Sequence, residues 1–380
     1  MEINPVNEIW FSKLQSDEKD STDPFQLSGA HDRHVFGKPR EIGFFSIDSS
    51  RQLLENKSQM KYLVFPLKMR DLEIDLNVNC KLDVFHYYNT IEKMYQTLKW
   101  LSRNQKKLQT LSKKTDFVTV RGALVKIMCT PYLKGCIRPQ WEICATRYEG
   151  VIYFCAIDSD EDIEENKNAT PKQLMFQSWG YKFEQYMTTS EIGSKPDVSS
   201  TTHQLEEFCI MLENIFNEHT LIYKAEVDAV IPYRYPGPGS GDTSCYTELK
   251  TSRTRTRISA EMYFYRNKLL NWWTQSYLAG IPEVICGMRD DLGIVNSLEV
   301  IRISNMPNLA QGFWSPDVCL HFCDYFLNYL KKTVIEDDPN TVYHFKYTSG
   351  DTVYCKRMIN PEARYQVIPK WYVESMKNIK

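Results

Sequence analysis

The chain has 380 residues, and its 46 Lys and Arg against 48 Asp and Glu give a formal net charge of −2. Hydrophobic residues make up 42% and charged residues 25%, which excludes a mostly disordered chain and a strongly basic nucleic-acid coat. No apolar run approaches the roughly 18 residues of a membrane-spanning helix, and residues 1–14 lack a signal-peptide pattern, so we expect no membrane association.

Eleven cysteines occur without a CxxC pair. Structural zinc sites use paired Cys or His residues at repeated spacing, so this pattern does not favour one. We interpret the cysteines as small buried apolar residues of a protein from a reducing compartment.

The polar, mixed-charge residues 1–37 predict a partly flexible N-terminal arm. Residues 38–380 contain no internal repeat and no linker-like stretch that would divide them, so we predict a single domain there. We expect this domain to be a monomer.

Hydrophobic periodicity and turn residues predict strands and helices throughout the chain. In chain order we predict a strand at 40–48, a helix at 89–112, a strand that becomes a helix after Gly122 within 117–128, a hairpin over 141–158 that turns at Glu149-Gly150, a charged loop at 159–169, a helix at 172–187, an exposed loop at 189–202, a helix at 203–217, strands at 221–232 and 244–252, a helix at 261–279 that ends at Gly280, and a strand at 283–288.

Two of the predicted strands carry charged residues two positions apart, which places them on one face of each strand. Glu226 and Asp228 share a face of the first strand, and Glu248 and Lys250 share a face of the second. The Gly- and Pro-rich connection would allow these strands to pair as antiparallel neighbours. Three carboxylates and one ammonium would then lie together.

Clustered carboxylates repel one another and do not all stay ionised without a cation. Their hard oxygen atoms favour Mg²⁺ or Mn²⁺ over zinc, and a lysine two residues after a metal-bound glutamate can stabilise the charge of a phosphate under attack. This D…ExK arrangement is typical of a large superfamily of metal-dependent nucleases. Solvated strand faces are the alternative interpretation, but the apolar residues Ala225, Val227 and Ala229 favour a buried strand, where unpaired carboxylates are costly.

Further polar residues accompany these two strands. Glu184 lies on a predicted helix and is a candidate fourth acid, with an ordinary surface glutamate as the alternative. Gln275 is either an amide donor to a phosphate or an exposed helix residue. Arg253, Arg255 and Arg257 directly follow the ExK strand and would suit phosphate contacts along single-stranded RNA.

Six segments of the chain, read in order, closely resemble the motifs of the decapping exoribonuclease (DXO/Dom3Z) family: VTVRG, SWGYKFEQYMT, AEVD, YTELKTS, NKLLNWWTQSYLAGIP and CGMRDD. The similarity runs from about Pro39 to Tyr372, and details such as FYRNKLLNWW are closer to animal members than to yeast members. One departure is Ala225, where animal members usually have glycine. The resemblance implies an α+β (mixed) fold of two packed β-sheets surrounded by helices, with a PD-(D/E)XK-type nuclease core.

The same resemblance implies a metal centre and a catalytic set. The family's metal ligands fall on Glu184, Glu226, Asp228, Glu248 and the backbone carbonyl of Leu249. Two Mg²⁺ or Mn²⁺ ions about 3.5–4 Å apart would activate a water and stabilise the leaving oxygen of an in-line displacement. Lys250 and Gln275 are expected to contact the scissile phosphate or its attacking water, and Glu226, Asp228 and Glu248 complete the catalytic set.

The resemblance also implies a substrate pocket around these acids. Arg121 is expected to bind the 5′-terminal end of the substrate. The rest of the pocket would be lined by Arg51, Glu92, Val120, Gly122 and Cys209, together with Glu226, Lys250 and Gln275.

The implied activity is metal-dependent hydrolysis at RNA 5′ ends. Such an enzyme would remove incomplete or non-canonical caps (unmethylated, triphosphate or NAD) and degrade the exposed RNA 5′→3′ in mRNA cap quality control. Two alternatives stay open: a DNA-directed nuclease of the same superfamily, and a non-catalytic RNA-binding partner that stabilises another 5′→3′ exoribonuclease. Family analogy places the protein in the nucleus, with the cytoplasm as the alternative compartment.

Overall fold

A computed structural model describes residues 36–79, 90–109, 114–133, 140–202, 204–237, 240–348 and 352–377. The predicted N-terminal arm, 1–37, lies outside the described residues except for its last two positions. None of the helices in the described ranges is both long and apolar enough to cross a membrane.

The larger sheet contains nine strands within the described part of the chain. In spatial order they are β16 (Thr352–Ile359), β15 (Thr341–Thr348), β6 (Trp141–Tyr148), β7 (Val151–Ile157), β5 (Phe117–Val120), β10 (His219–Glu226), β9 (Glu207–Phe216), β1 (Arg40–Ile47) and β2 (Leu53–Leu54). The β6–β7 hairpin turns at Glu149-Gly150 as predicted, with both turn residues at positive φ.

The smaller sheet contains seven strands among the residues described. In spatial order they are β4 (Arg70–Asp75), β14 (Ile294–Arg302), β13 (Glu283–Arg289), β12 (Tyr246–Arg253), β11 (Ala229–Val230), β3 (Tyr62–Leu63) and β8 (Thr188–Thr189). Strand β12 runs parallel to β13 and antiparallel to β11.

Helices cover both sheets. They are α1 (Thr90–Arg103), α2 (Gln105–Leu108), α3 (Arg121–Cys129), α4 (Asp160–Lys167), α5 (Pro171–Met187), α6 (Ile258–Tyr263), α7 (Leu269–Ala279), α8 (Met306–Leu309), α9 (Pro316–Thr333) and α10 (Lys370–Lys377), with a π-helical segment (Phe264–Lys268) between α6 and α7. The largest core joins one face of each sheet through α3, α7 and α9. A second core lies between the larger sheet and α1 and α10, and a third between the smaller sheet and α5. The predicted arrangement of two packed sheets surrounded by helices is confirmed.

Two predicted elements are wrong. Residues 203–217 were expected to form a helix, but β9 occupies most of this stretch between β1 and β10. Because both faces of β9 are buried, its sequence is a near-continuous apolar run without strand-like alternation. Such a run cannot be distinguished from a buried helix by its periodicity alone. The charged stretch 159–169 contains α4 rather than only a loop, because Ser159 and Asp162 form a capping box at its start.

The predicted strand 221–232 is divided between the two sheets. Strand β10 ends at Glu226, and the chain then enters the smaller sheet as β11. The expected antiparallel pairing with the ExK strand is therefore made by β11, through Ala229 opposite Thr247, and not by β10. The acidic residues lie at this crossing, which positions the site.

Candidate active site

The candidate site lies where the chain passes from the larger to the smaller sheet. Glu226 is the last residue of β10, and the amide of Val227 still donates to the carbonyl of Phe208 in β9 at 3.0 Å. Asp228 follows and immediately precedes β11. The crossing thus places Glu226 at the end of a strand of the larger sheet and Asp228 directly before a strand of the smaller sheet.

Asp228 is bound by two donors from β12. Its Oδ2 atom accepts from the backbone amide of Leu249 at 2.8 Å and from Lys250 Nζ at 3.3 Å. The same Lys250 Nζ lies 2.7 Å from Glu248 Oε2. Lys250 therefore joins the two carboxylates, although they lie 20 residues apart in the chain.

Glu248 has a second cationic neighbour. Its side chain is fully buried, and its Oε1 atom accepts from Arg121, the first residue of α3. Burial would raise the pKa of Glu248, but Arg121 and Lys250 outweigh it and hold this pKa at about 2. The Glu248 carboxylate is therefore ionised at neutral pH.

A cavity of about 410 Å³ opens beside this ion-pair network. Glu184 of α5, Glu226 and Asp228 line it. Burial, followed by the neighbouring acids, raises the pKa of Glu226 to about 8, and burial also raises the pKa values of Glu184 and Asp228. The exposed part of the Glu226 side chain faces this cavity.

One wall of the cavity is the loop 190–202, the greater part of the loop predicted at 189–202. It is tied to α5 by Lys182, which donates to the carbonyl of Val198 at 2.7 Å, and by Gln185, which donates to Ser200 Oγ at 2.8 Å. The helix that carries Glu184 therefore also holds the cavity wall in place.

The acidic side chains of the site have the chemistry that a hard divalent cation prefers, although not the spacing of a formed metal site. Within the described ranges, no three acidic, His or Cys side chains stand at metal-ligand spacing, and the oxygens of Asp228 and Glu248 contact Lys250 and Arg121 instead. Glu184, Glu226 and Asp228 nevertheless supply carboxylate oxygens whose mutual repulsion a cation would relieve. Glu226, Glu184 and Asp228 are the residues that could hold such a cation together with Glu248; a role for the Leu249 carbonyl stays a prediction.

The residues predicted around the 5′ end of the substrate lie at the turn from β5 to α3. Val120 ends β5, and Arg121 and Gly122 begin α3. A Cβ atom on Gly122 would meet no atom within 4 Å, so space lies beside this residue. Gln275, on α7, is half-buried and forms no side-chain hydrogen bond with any residue that the structure describes.

The other predicted pocket residues lie on the α1 side of the larger sheet. Arg51 donates to Glu207 Oε1 at 2.7 Å, and Cys209 is fully buried opposite Glu226 in the β9–β10 register. Glu92 belongs to α1, but its side chain lies outside the described residues.

Two charged residues beside this pocket were missed. Glu207 accepts from both Arg51 and Lys224, the latter at 3.2 Å, and burial is outweighed by these two cations, which hold the Glu207 pKa at about 2. Lys224 lies two residues before Glu226, so the same two-residue spacing that singled out the acids would have found it. Glu207 was not identified because residues 203–217 were predicted to form a helix, in which the two-residue spacing of a strand does not apply.

The arginines after the ExK strand have partners of their own. Arg255 forms two contacts with Glu299, at 3.0 and 3.1 Å, and lies 4.1 Å from the centre of the Phe264 ring. Arg253 pairs with Asp291 at 2.5 Å. An RNA contact by these arginines stays a prediction.

Paired acids at a sheet junction, a lysine between them and an adjacent acidic cavity define the class of a PD-(D/E)XK nuclease. The chain belongs to the family described as "RAI1 like PD-(D/E)XK nuclease", which matches residues 37–373. It is similar to the human "Decapping and exoribonuclease protein", with 32% identity over 372 residues, 93% of this chain and 89% of that protein. The resemblance indicated by the sequence motifs is confirmed.

Two solved yeast structures share the fold. Scheffersomyces stipitis Rai1 in complex with (3′-NADP)⁺ and calcium ion has a TM-score of 0.76 and 21% identity, over 90% of this chain and 96% of that chain. Candida albicans Rai1 in complex with pU5-Mn²⁺ has a TM-score of 0.77 and 17% identity, over 98% of each chain. The human relative is more similar in sequence than either yeast protein, in agreement with the animal-like segments.

Proposed function

We propose that the protein is a divalent-metal-dependent hydrolase of RNA 5′ ends, which removes unmethylated, triphosphate and NAD caps and degrades RNA 5′→3′ in cap quality control. The observation that carries this proposal is the Lys250 ammonium between Asp228 and Glu248, beside the cavity that Glu184 and Glu226 line. The human relative's description as a decapping and exoribonuclease protein and the pU5 and 3′-NADP⁺ bound by the yeast relatives support it.

The acidic residues of the site are proposed as cation ligands, and Glu226 also lines the substrate pocket. Glu184, Glu226, Asp228 and Glu248 would bind two Mg²⁺ or Mn²⁺ ions, as the Mn²⁺ and calcium of the yeast structures support. A bound divalent cation supplies positive charge that polarises a phosphoryl oxygen and activates a water. The family resemblance adds the Leu249 carbonyl as a further ligand.

The cationic and amide side chains act on the substrate itself. Lys250 carries its positive charge on a flexible stem, so it can leave Asp228 and stabilise the charge that develops on the scissile phosphate. Gln275, whose amide has no partner among the described residues, would donate to the same phosphate or orient the attacking water. Arg121 would bind the 5′-terminal end, and Arg51, Glu92, Val120, Gly122 and Cys209 would surround it.

The proposal is tested with RNAs that differ only in their 5′ ends: triphosphate, unmethylated cap, methylated cap, NAD cap and monophosphate. Wild-type protein with Mg²⁺ or Mn²⁺ should hydrolyse the incomplete and NAD-capped ends, and EDTA should stop the reaction. The Glu226→Gln/Asp228→Asn variant should be slower by at least about 10³-fold, because two of the cation's charged ligands become neutral amides.

The control is Glu191→Gln, which neutralises an exposed acid at the wall of the same cavity. This variant should keep the wild-type rate. A wild-type rate in Glu226→Gln/Asp228→Asn would refute the proposal, and a preference for DNA of equal length, without any effect of the 5′ group, would establish the DNA-directed alternative instead.

We further propose a monomer that acts in the nucleus, with the cytoplasm as the alternative, and that can associate with another exoribonuclease. These statements rest on the family resemblance. Gel filtration, imaging of the tagged full chain and co-purification with a 5′→3′ exoribonuclease test them separately.

A further inference from the structure

Lys268 is a half-buried cation that has no carboxylate partner among the described residues. It ends the π-helical segment that precedes α7. Its Nζ atom reaches only neutral groups, Ser252 Oγ at 3.3 Å and the Thr251 carbonyl at 3.4 Å, and lies over the Trp272 ring at 5.9 Å. No acidic side chain in the described ranges forms an ion pair with it. A desolvated ammonium without a counter-charge is costly, and none of the described residues supplies one, so an external anion would stabilise this position.

The charges around Lys268 strengthen this argument. Burial, followed by the positive charges of Arg289, Arg253 and Arg255, lowers the pKa of Lys268. Arg253 and Arg255 have partners of their own in Asp291 and Glu299, whereas Lys268 forms no ion pair with any described residue. Arg289 likewise forms no ion pair within the described residues, so its charge adds to that of Lys268 in favouring an anion over another cation.

Lys268 also lies in line with the candidate site. Alternate residues of a strand share a face, so Glu248, Lys250 and Ser252 form one row along β12. Lys268 contacts Ser252 at the end of this row, and its helical spacing from Trp272 and Gln275 places all three on one side of α7 and the segment before it. Ser252 is two residues, about 6.6 Å, beyond Lys250 along the strand. This separation is close to that between successive phosphates in an extended single strand.

The row has a direction. Arg121, the residue proposed to bind the 5′ end, contacts Glu248 at the first position of the row. Lys250 is at the second position, and Lys268 is at the third, on the side away from Arg121. An RNA whose 5′ end lies at Arg121 would therefore present its next phosphate, on the 3′ side, to Lys268.

We propose that Lys268 binds the phosphodiester immediately 3′ of the scissile phosphate and so holds the RNA in register for repeated cleavage. This inference rests on the proposed function, since it takes the polarity of the substrate from it. Lys268 acts here as a positioning residue: it fixes the strand, while the acids and Lys250 act at the scissile bond.

The experiment uses 5′-monophosphorylated RNAs in which a single linkage, scanned from the first to the fourth, is an uncharged methylphosphonate. Binding is measured by fluorescence anisotropy without divalent cation, so that no hydrolysis occurs, and single-turnover cleavage is measured with Mg²⁺. In wild type, the methylphosphonate next to the scissile linkage should weaken binding about tenfold, the loss of one charge-assisted contact.

Lys268→Met keeps an apolar stem against Trp272 and removes the charge. It should weaken binding of the unmodified RNA by a similar factor, lower the slope of log affinity against log salt by about 0.7, and be insensitive to methylphosphonate at that one linkage. Lys268→Arg should restore both binding and the sensitivity. A structural role would not produce insensitivity confined to one linkage.

Lys331→Met is the matched control. Lys331 is half-buried on α9 and pairs with Asp116, which precedes β5, at the opposite end of that strand from Arg121. It should behave as wild type with every RNA. If the affinity losses caused by Lys268→Met and by a methylphosphonate multiply at every linkage, Lys268 does not contact one particular phosphate. That result would overturn the inference. If no RNA is cleaved by wild type but the binding pattern holds, the proposed hydrolase activity fails, and the phosphate contact of Lys268 stands without its role in cleavage.

Discussion

Lys250 and Asp228 form a contact across the junction between the two sheets, with Nζ 3.3 Å from Oδ2. Lys250 lies within β12, while Asp228 lies between the end of β10 in the larger sheet and the start of β11 in the smaller sheet. The backbone amide of Leu249 supports the same carboxylate oxygen. One lysine thus links the acid at the crossing to the Glu248 side chain of its own strand.

Removing the Lys250 charge should destabilise the protein and stop catalysis. In Lys250→Met, the carboxylates of Asp228 and Glu248 lose the cation between them, and breaking a buried ion pair costs about 3–5 kcal/mol. We expect the free energy of unfolding in EDTA to fall by about that amount and the hydrolysis rate to fall at least about 100-fold.

Urea denaturation with and without Mg²⁺ checks this prediction. Mg²⁺ should stabilise Lys250→Met more than wild type, because no ammonium then competes for the carboxylates. Lys195→Met, which removes an exposed lysine at the cavity wall, is the control and should change neither quantity. Equal stabilisation of both proteins by Mg²⁺ would contradict the prediction.

The position of Glu184 depends on a glycine in the neighbouring strand. A Cβ atom on Gly287 of β13 would lie 2.6 Å from the ring of Phe183, the residue before Glu184 on α5. Gly287→Ala should therefore overpack this contact and cost about 1–3 kcal/mol of stability. A displaced α5 would also move Glu184, and we expect the Mg²⁺ concentration for half-maximal hydrolysis to rise.

A matched control lies in the same helix. A Cβ atom on Gly180 of α5 would meet no atom within 4 Å, so Gly180→Ala should stabilise the protein by about 0.5–1 kcal/mol through helix propensity alone. Thermal unfolding and Mg²⁺ titrations of both variants distinguish the two effects. If Gly287→Ala is destabilised but its Mg²⁺ requirement is unchanged, the packing of Phe183 does not control the position of Glu184.

The sequence predicted the parts of the site that depend on local spacing. Glu248 and Lys250 share a strand face because they are two residues apart, and the structure brings them together on β12 as expected. Family motifs identified Arg121, but not its contact with Glu248, which joins residues 127 positions apart. Such a pairing depends on how the sheets pack, and periodicity does not encode it.

The wrong predictions have physical causes as well. Periodicity alone cannot distinguish a short strand buried on both faces from a buried helix, and β9 is such a strand. The change of sheet after Glu226 depends on distant partners, the Phe208 carbonyl for Val227 and the Lys61 carbonyl for Val230. The start of α4 is different, because its capping box of Ser159 and Asp162 is formed by residues three positions apart, whereas the stretch lacks the apolar periodicity on which the helix predictions rest.

The buried Glu142 carboxylate of the larger sheet should make stability depend on pH. Glu142 of β6 accepts from His344 at 2.8 Å and from Lys346 at 2.9 Å, and these interactions outweigh burial and lower its pKa from 4.5 to about 2. A depressed carboxylate pKa stabilises the fold above the unfolded-state pKa, so this contribution is complete at pH 7 and is lost as pH falls from about 4.5 to about 2.

Glu142→Gln should cost about 2–3 kcal/mol at pH 7, and its difference from wild type in urea denaturation should shrink steadily between pH 5 and pH 3. Glu336→Gln, which removes an exposed partner of Arg357, is the control and should cost much less. A Glu142→Gln difference that stays constant over this pH range would show that the charged form of Glu142 does not stabilise the fold.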